Sequence, residues 1–105
     1  FKMKYQKALG DPATKSGNIE IRNNDGHSIF ENGNLINPSS NIHIGNNVWI
    51  CQNVKILKGA HIGNNSVIAL NALVSSGVYE NNVILAGIPA KIIKSNIYWS
   101  KELPN

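Results

Sequence analysis

The sequence predicts an all-β fold, one solenoid domain of stacked six-residue turns, and three observations carry that prediction. Ile44, Ile50, Ile56, Ile62, Ile68 and Val74 recur at every sixth position. Four residues after each stands a small or β-branched residue: Val48, Val54, Ala60, Ser66, Ala72 and Val78. The stretches between them are rich in Gly and Asn, residues that tolerate the positive φ of tight turns.

A helix cannot use this spacing, because a period of six drifts around a 3.6-residue turn and scatters the Ile over every face. A strand can. The small residue and the following Ile are two apart, so both point inward and the residue between them, such as Trp49, points outward. Stacked turns then pair their backbone groups with the coil above or below, about 4.8 Å away. A sandwich with regular turns is the alternative, and six matching repeats in series argue against it.

The elements follow in order within a single domain spanning residues 1–105. Residues 1–16 begin at Phe1 without Met and carry no readable pattern. Residues 19–43 are expected to form a degenerate coil, interrupted by a loop from about Asn24 to Asn37, with Pro38-Ser39-Ser40-Asn41-Ile42-His43 as its last repeat. Residues 44–79 are expected to make two regular coils, and residues 80–105 a capping segment with a short tail. Two or three coils bury little surface alone, so either self-association or further coils must complete the structure.

Composition narrows the function. The net charge is +4, yet from Asn32 to Lys101 the basic residues Lys55, Lys58, Lys91, Lys94 and Lys101 are widely spaced. No aromatic residues alternate with them, which disfavours a nucleic-acid surface and suits a single polyphosphate ligand. No apolar run approaches the roughly 18 residues of a membrane helix. Cys51 is alone, so no internal disulfide forms. That fits a reducing compartment, and with no apolar stretch in the first ten residues the expected location is cytoplasmic. His43 and His61 should stack outward on adjacent coils. They lack a third ligand of matching spacing, so no metal site is expected.

His27 stands in Asn24-Asp25-Gly26-His27-Ser28, where the repeat is broken. A loop leaving a rigid solenoid is a common place for chemistry, and His is the side chain suited to taking a proton near neutrality. Asp25 is positioned either to orient the imidazole or to hold the loop through an Asx turn. The competing reading places His27 at a hairpin tip with no role. Trp49 adds weight, since an outward indole implies a ligand or subunit contact.

The Ile-Gly-Asn-Asn-Val-Trp series resembles the hexapeptide-repeat acyltransferases, whose three-sided, left-handed parallel β-helix uses three such repeats per coil. The Asp25-Gly26-His27 loop followed by Ile44-Gly45-Asn46-Asn47-Val48-Trp49-Ile50 looks like the sugar and polysaccharide O-acetyltransferases among them. Ala86-Gly87-Ile88-Pro89-Ala90-Lys91 is similar to the Gly-x-Pro-Ala-Lys signature that closes these helices. The resemblance covers residues 19–99 and makes this chain the C-terminal, catalytic part of such an enzyme. It implies acetyl-CoA as co-substrate, with no metal, and a homotrimer with sites between subunits. His27 would be the general base, with Asp25 and Trp49 beside it, and backbone N–H groups near Trp49 and Gln52 would form the oxyanion hole. Trp49, Gln52, Ala69, Leu70, Ser75, Ser76, Gly87, Pro89, Lys91 and Lys94 would line the CoA path, Lys91 and Lys94 at its phosphates. His27 of one chain would face Trp49 and the Lys91 region of the next. Two features depart from the pattern, because Ala69-Leu70-Asn71 replaces Gly-Ala-Gly and Ser75-Ser76-Gly77 replaces Thr-Lys-Asp. Cys51 occupies a turn and is expected to be no nucleophile. The tail Asn96-Ile97-Tyr98-Trp99 is expected to pack on a neighbouring subunit or to anchor the cap. The rival acceptor is an amine, and the rival role is a non-catalytic assembly module.

Overall fold

The computed structural model describes residues 14–15 and 17–104; the rest of the N-terminal segment 1–16 and Asn105 lie outside the described residues. Thirteen short strands are found there: β1 (Thr14–Lys15), β2 (Glu20–Ile21), β3 (Phe30–Glu31), β4 (Asn34–Leu35), β5 (His43–Ile44), β6 (Trp49–Ile50) and β7 (Lys55–Ile56), then β8 (Ala60–Ile62), β9 (Val67–Ile68), β10 (Leu73–Val74), β11 (Gly77–Tyr79), β12 (Val83–Gly87) and β13 (Ala90–Ser95). Successive strands fall on three different faces, so the chain winds into a left-handed, three-sided parallel β-helix. Face I is β1-β6-β9-β12-β13, face II is β2-β7-β10 and face III is β5-β8-β11, while β3 and β4 form a separate hairpin.

Ladder pairing at 18-residue offsets joins Trp49 to Val67, Lys55 to Leu73 and His43 to His61. Inside, Ile44, Val48, Ile50, Val54, Ile56, Ile68 and Val74 are fully buried, and Ile42 and Ile62 nearly so. Each buried Ile is worth about 1.5–3 kcal/mol, so the column supplies most of the cohesion. Asn47, Asn53, Asn65, Asn71 and Asn82 all take φ between 57° and 64°, and Gly59 takes 81°. Each stands directly before an inward small residue, so these left-handed residues are the corners. On the edge between faces III and I the asparagines just before these corners also form a ladder. Asn64 Oδ1 accepts from Asn46 N–H at 2.7 Å, and Asn81 Oδ1 accepts from Asn64 N–H at 2.7 Å.

The top coil corrects the sequence reading. Val78, expected inward, is 84% exposed. The register pairs Gly77 with Ala60 and Tyr79 with Ile62, so the corner at Ser75–Ser76 is one residue short. Tyr79 turns toward the core and its hydroxyl donates to Ser75 O at 2.9 Å. A period of six cannot see a deleted corner residue when a β-branched Val sits in the expected slot. Coiling also continues beyond residue 79, because β12 adds a rung to face I before β13 folds back antiparallel and caps it.

Candidate active site

The lowest coil is interrupted at the edge between faces II and III. Glu20 pairs with Lys55, 35 positions on, and the excess over one coil is the extruded loop. Its two roots meet where Ser40 N–H donates to Asn23 O at 2.9 Å. Asn24 Oδ1 accepts from Gly26 N–H at 2.8 Å, an Asx turn that reverses the chain just before His27. Beyond His27 the β3–β4 hairpin turns at Asn32-Gly33, both with positive φ. That Asn-Gly pair is a strong hairpin signal in the sequence. His27 therefore lies at the hairpin's base rather than at its tip.

One side chain clips this loop shut. Asn37 Oδ1 accepts from Ile29 N–H at 2.6 Å, while its Nδ2 donates to His27 O at 2.8 Å and to Asp25 Oδ2 at 3.0 Å. Lys58, reaching from the next coil, donates to the same Asp25 oxygen at 2.8 Å. The Lys58 bond first, and the Asn37 bond second, hold the Asp25 carboxyl below its ordinary 3.8. Asp25 thus fastens the loop to the helix and, among the described residues, makes no bond to the imidazole; the Asx turn belongs to Asn24. Among the described residues His27 has no side-chain partner, and its exposed ring borders a groove of about 460 Å³ with Asn24, Asp25, Ser28, Leu35 and Pro38. Lys58 and Asn37 were missed in the sequence, since neither belongs to a motif and only folding brings them to Asp25.

The predicted co-substrate residues divide between two walls. Trp49 points outward from face I. Gln52 and Leu70 stand one coil apart on the edge between faces I and II, and the face I register carries that line up to Gly87. Leu70 is exposed there, beside half-buried Ala69. Gly87, with φ 102°, and the cis Ile88-Pro89 bond then turn β12 into β13. That turn brings Pro89 and Lys91 to Ser75 and Ser76, where they line a second groove of about 440 Å³ with Tyr79 and Ile92. Lys94, paired with Ile84 further along β13, does not line it. Ser75 and Ser76 stand on the same edge as Lys58 and the His27 loop. Face I lies opposite that edge, so His27 and Trp49 stand on opposite sides of the helix.

The surroundings of Trp49 sharpen two expectations. Its own N–H donates to Ser66 O at 2.9 Å and is spent in the ladder, whereas Gln52 N–H has no partner among the described residues. The indole is exposed at 37%, as its outward position implies, and Trp99 of the same chain lies against it. Half-buried Cys51 has its thiol pushed up by desolvation, which suits a structural turn residue and not a nucleophile. His43 and His61 stack as expected, with centroids 6.0 Å apart and planes 16° from parallel.

Comparison with known proteins adds an independent line. Residues 41–76 match the bacterial transferase hexapeptide family (six repeats). The chain is 48% identical over 98 residues to a polysialic acid O-acetyltransferase of Neisseria meningitidis, which covers 91% of this chain and 46% of that protein. It is 43% identical over 100 residues to a polysialic acid O-acetyltransferase of Escherichia coli O1:K1 / APEC, covering 93% and 32% respectively. The crystallographic structure of the polysialic acid O-acetyltransferase OatWY matches with a TM-score of 0.75 at 40% identity, over 85% of this chain and 43% of that one. The polySia-specific acetyltransferase NeuO matches with a TM-score of 0.72 at 36% identity, over 80% and 36%. The chain spans less than half the length of these relatives.

Proposed function

The chain belongs to the hexapeptide-repeat acyltransferase superfamily of left-handed β-helices, and from that premise we propose that it is the catalytic part of an acetyl-CoA-dependent O-acetyltransferase acting on a polysaccharide hydroxyl. The observation that carries the proposal is the Asn37 clip, which presents an unengaged His27 imidazole beside an open groove. Polysialic acid, the acceptor named for both relatives, is the first substrate to test. The formal charge of +4 favours approach of such a polyanion.

In this reading His27 takes the proton of the acceptor hydroxyl as its oxygen attacks the thioester carbonyl. The carbonyl oxygen gathers negative charge, and Gln52 N–H supports it. The tetrahedral adduct then collapses, the C–S bond breaks, and the thiolate of CoA leaves and takes the proton back from His27. No acyl-enzyme forms, consistent with the raised thiol of Cys51. Trp49 borders the acetyl and pantetheine groups, which follow the Gln52–Leu70–Gly87 edge. Pro89, Lys91, Ser75 and Ser76 receive the nucleotide end, with Lys91 opposite its phosphates. Lys94 is set aside from that groove and is given no phosphate. Because His27 and Trp49 lie on opposite sides of the prism, the working unit is a homotrimer whose sites each take His27 from one chain and Trp49 from the next. A cytoplasmic location belongs to the same proposal, since acetyl-CoA is a cytosolic metabolite.

The test is acetyl transfer to polysialic acid and a panel of other sugars, with products read by mass spectrometry. His27→Ala should lose at least about 10²-fold in rate while still binding CoA. Equal rates in the two proteins would remove His27 as the base. Products that keep their acetyl group in mild alkali would point to an amine acceptor, and no transfer at all to an assembly module.

A further inference from the structure

The C-terminal tail leaves β13 at Ser95 and turns back down the helix. Asn96, with φ 61°, makes the reversal. Asn82 then grips Ile97 twice: Ile97 N–H donates to Asn82 O at 3.0 Å, and Asn82 Nδ2 donates to Ile97 O at 3.0 Å. Two residues on, the Trp99 indole N–H donates to Asn47 O at 2.9 Å, across 52 residues of sequence. Asn47 and Asn82 are corners of the same edge, two rungs apart, so the tail runs along that edge as a strap. Its end meets Trp49, with ring centroids 5.7 Å apart and planes tilted by 44°.

We infer that Trp99 is a positioning residue for the acetyl-CoA site: the strap holds the Trp49 indole in the orientation that receives the acetyl and pantetheine groups. The inference rests on the co-substrate reading of Trp49 given above. Trp49 stands at an outward position with Val67 as its rung neighbour above, and a side chain of that size is free to choose among rotamers. Trp99 removes that freedom. Its anchor, the Asn47 carbonyl, lies two residues before Trp49 on the same corner, so the two rings share one rigid support. Tilted aromatic pairs of this kind are favourable beyond their buried area. A mere cap would not need its indole N–H directed at the one turn that carries Trp49, and the cap of face I is already complete in β13. Pre-setting a ring that would otherwise be ordered on binding strengthens binding by removing that cost in advance.

The chain has only two tryptophans, so fluorescence excited at the red edge of the indole band, where its three tyrosines do not absorb, reports this pair alone. CoA is titrated into wild type, Trp99→Ala and Trp99→Phe, and steady-state kinetics with acetyl-CoA are measured on the same samples. Trp99→Ala should weaken CoA binding and raise KM for acetyl-CoA by roughly 3- to 10-fold, with kcat changed less. Trp99→Phe keeps a ring but loses the N–H, and should recover part of that loss while its thermal unfolding stays near wild type. Wild-type CoA affinity and KM in both variants, alongside an active wild-type enzyme, would overturn the strap inference alone. A wild type that neither binds CoA nor transfers acetyl would overturn the functional reading and this inference together.

Discussion

Asn37 makes three bonds with a single amide, one to Asp25 and two to the main chain on either side of Ser28. Replacing it with Ala leaves the loop's ends tied but frees the segment that carries His27. Asn37→Ala should therefore lower kcat by about 10- to 100-fold, as misplacement of a catalytic group by an ångström does, with KM for acetyl-CoA nearly unchanged. Asp25 supports the same segment through charge. Its carboxyl titrates below 3.8 in the folded chain, so its support is complete above that value and is lost only as pH falls through the lowered value. From pH 5 to 8 the Asp25 carboxylate keeps its charge, and Asp25→Asn should leave the shape of the pH–rate profile in that window unaltered. A profile that moved with Asp25→Asn would show the carboxylate acting on the imidazole after all. Cys51 supplies a third case. With its thiol pushed up by desolvation, it should react slowly with iodoacetamide at pH 8 until urea unfolds the chain, and Cys51→Ala should retain activity.

Among the elements, the corners bear the strictest demands. A Cβ on Gly63 would lie 2.5 Å from Asn81 Oδ1 and 2.7 Å from Asn81 N, against main chain that cannot move. Gly63→Ala should break the asparagine ladder between the upper coils and lower Tm measurably in a circular-dichroism melt. Ser66 is a buried polar residue in the column of small inward positions, and its Oγ accepts from Val83 N–H at 3.2 Å. Ser66→Ala would strand that N–H and cost about 1–3 kcal/mol in a denaturant titration. Both cases show how far the pattern could be read. Each Asn or Gly before an inward residue announced a corner, whereas the short corner at Ser75–Ser76 was hidden because Val78 satisfied the period. The loop was announced by the broken repeat, but its clip was not, since Asn37 and Lys58 lie 12 and 33 positions along the chain from Asp25 and meet it only on folding.

At the scale of the whole molecule, the edge bearing His27 and the face bearing Trp49 look in opposite directions. If sites form between subunits, His27→Ala and Trp49→Ala chains, each impaired alone, should regain activity when unfolded together and refolded as mixed oligomers. A mixture no more active than its separate parents would place the whole site within one chain. The sequence alone determined the winding, because inward Ile and left-handed Asn at fixed intervals dictate strand, corner and stacking by local rules of pleat and φ. It also singled out His27, Trp49 and the Gly87–Lys91 turn as the candidates for chemistry. Only the tertiary structure decided which of these share a wall, that Asp25 serves Lys58 and Asn37, and that Trp99 lies on Trp49. Those are contacts between side chains far apart in the chain, and a repeat places a residue on a face and a rung without fixing what will fold across it.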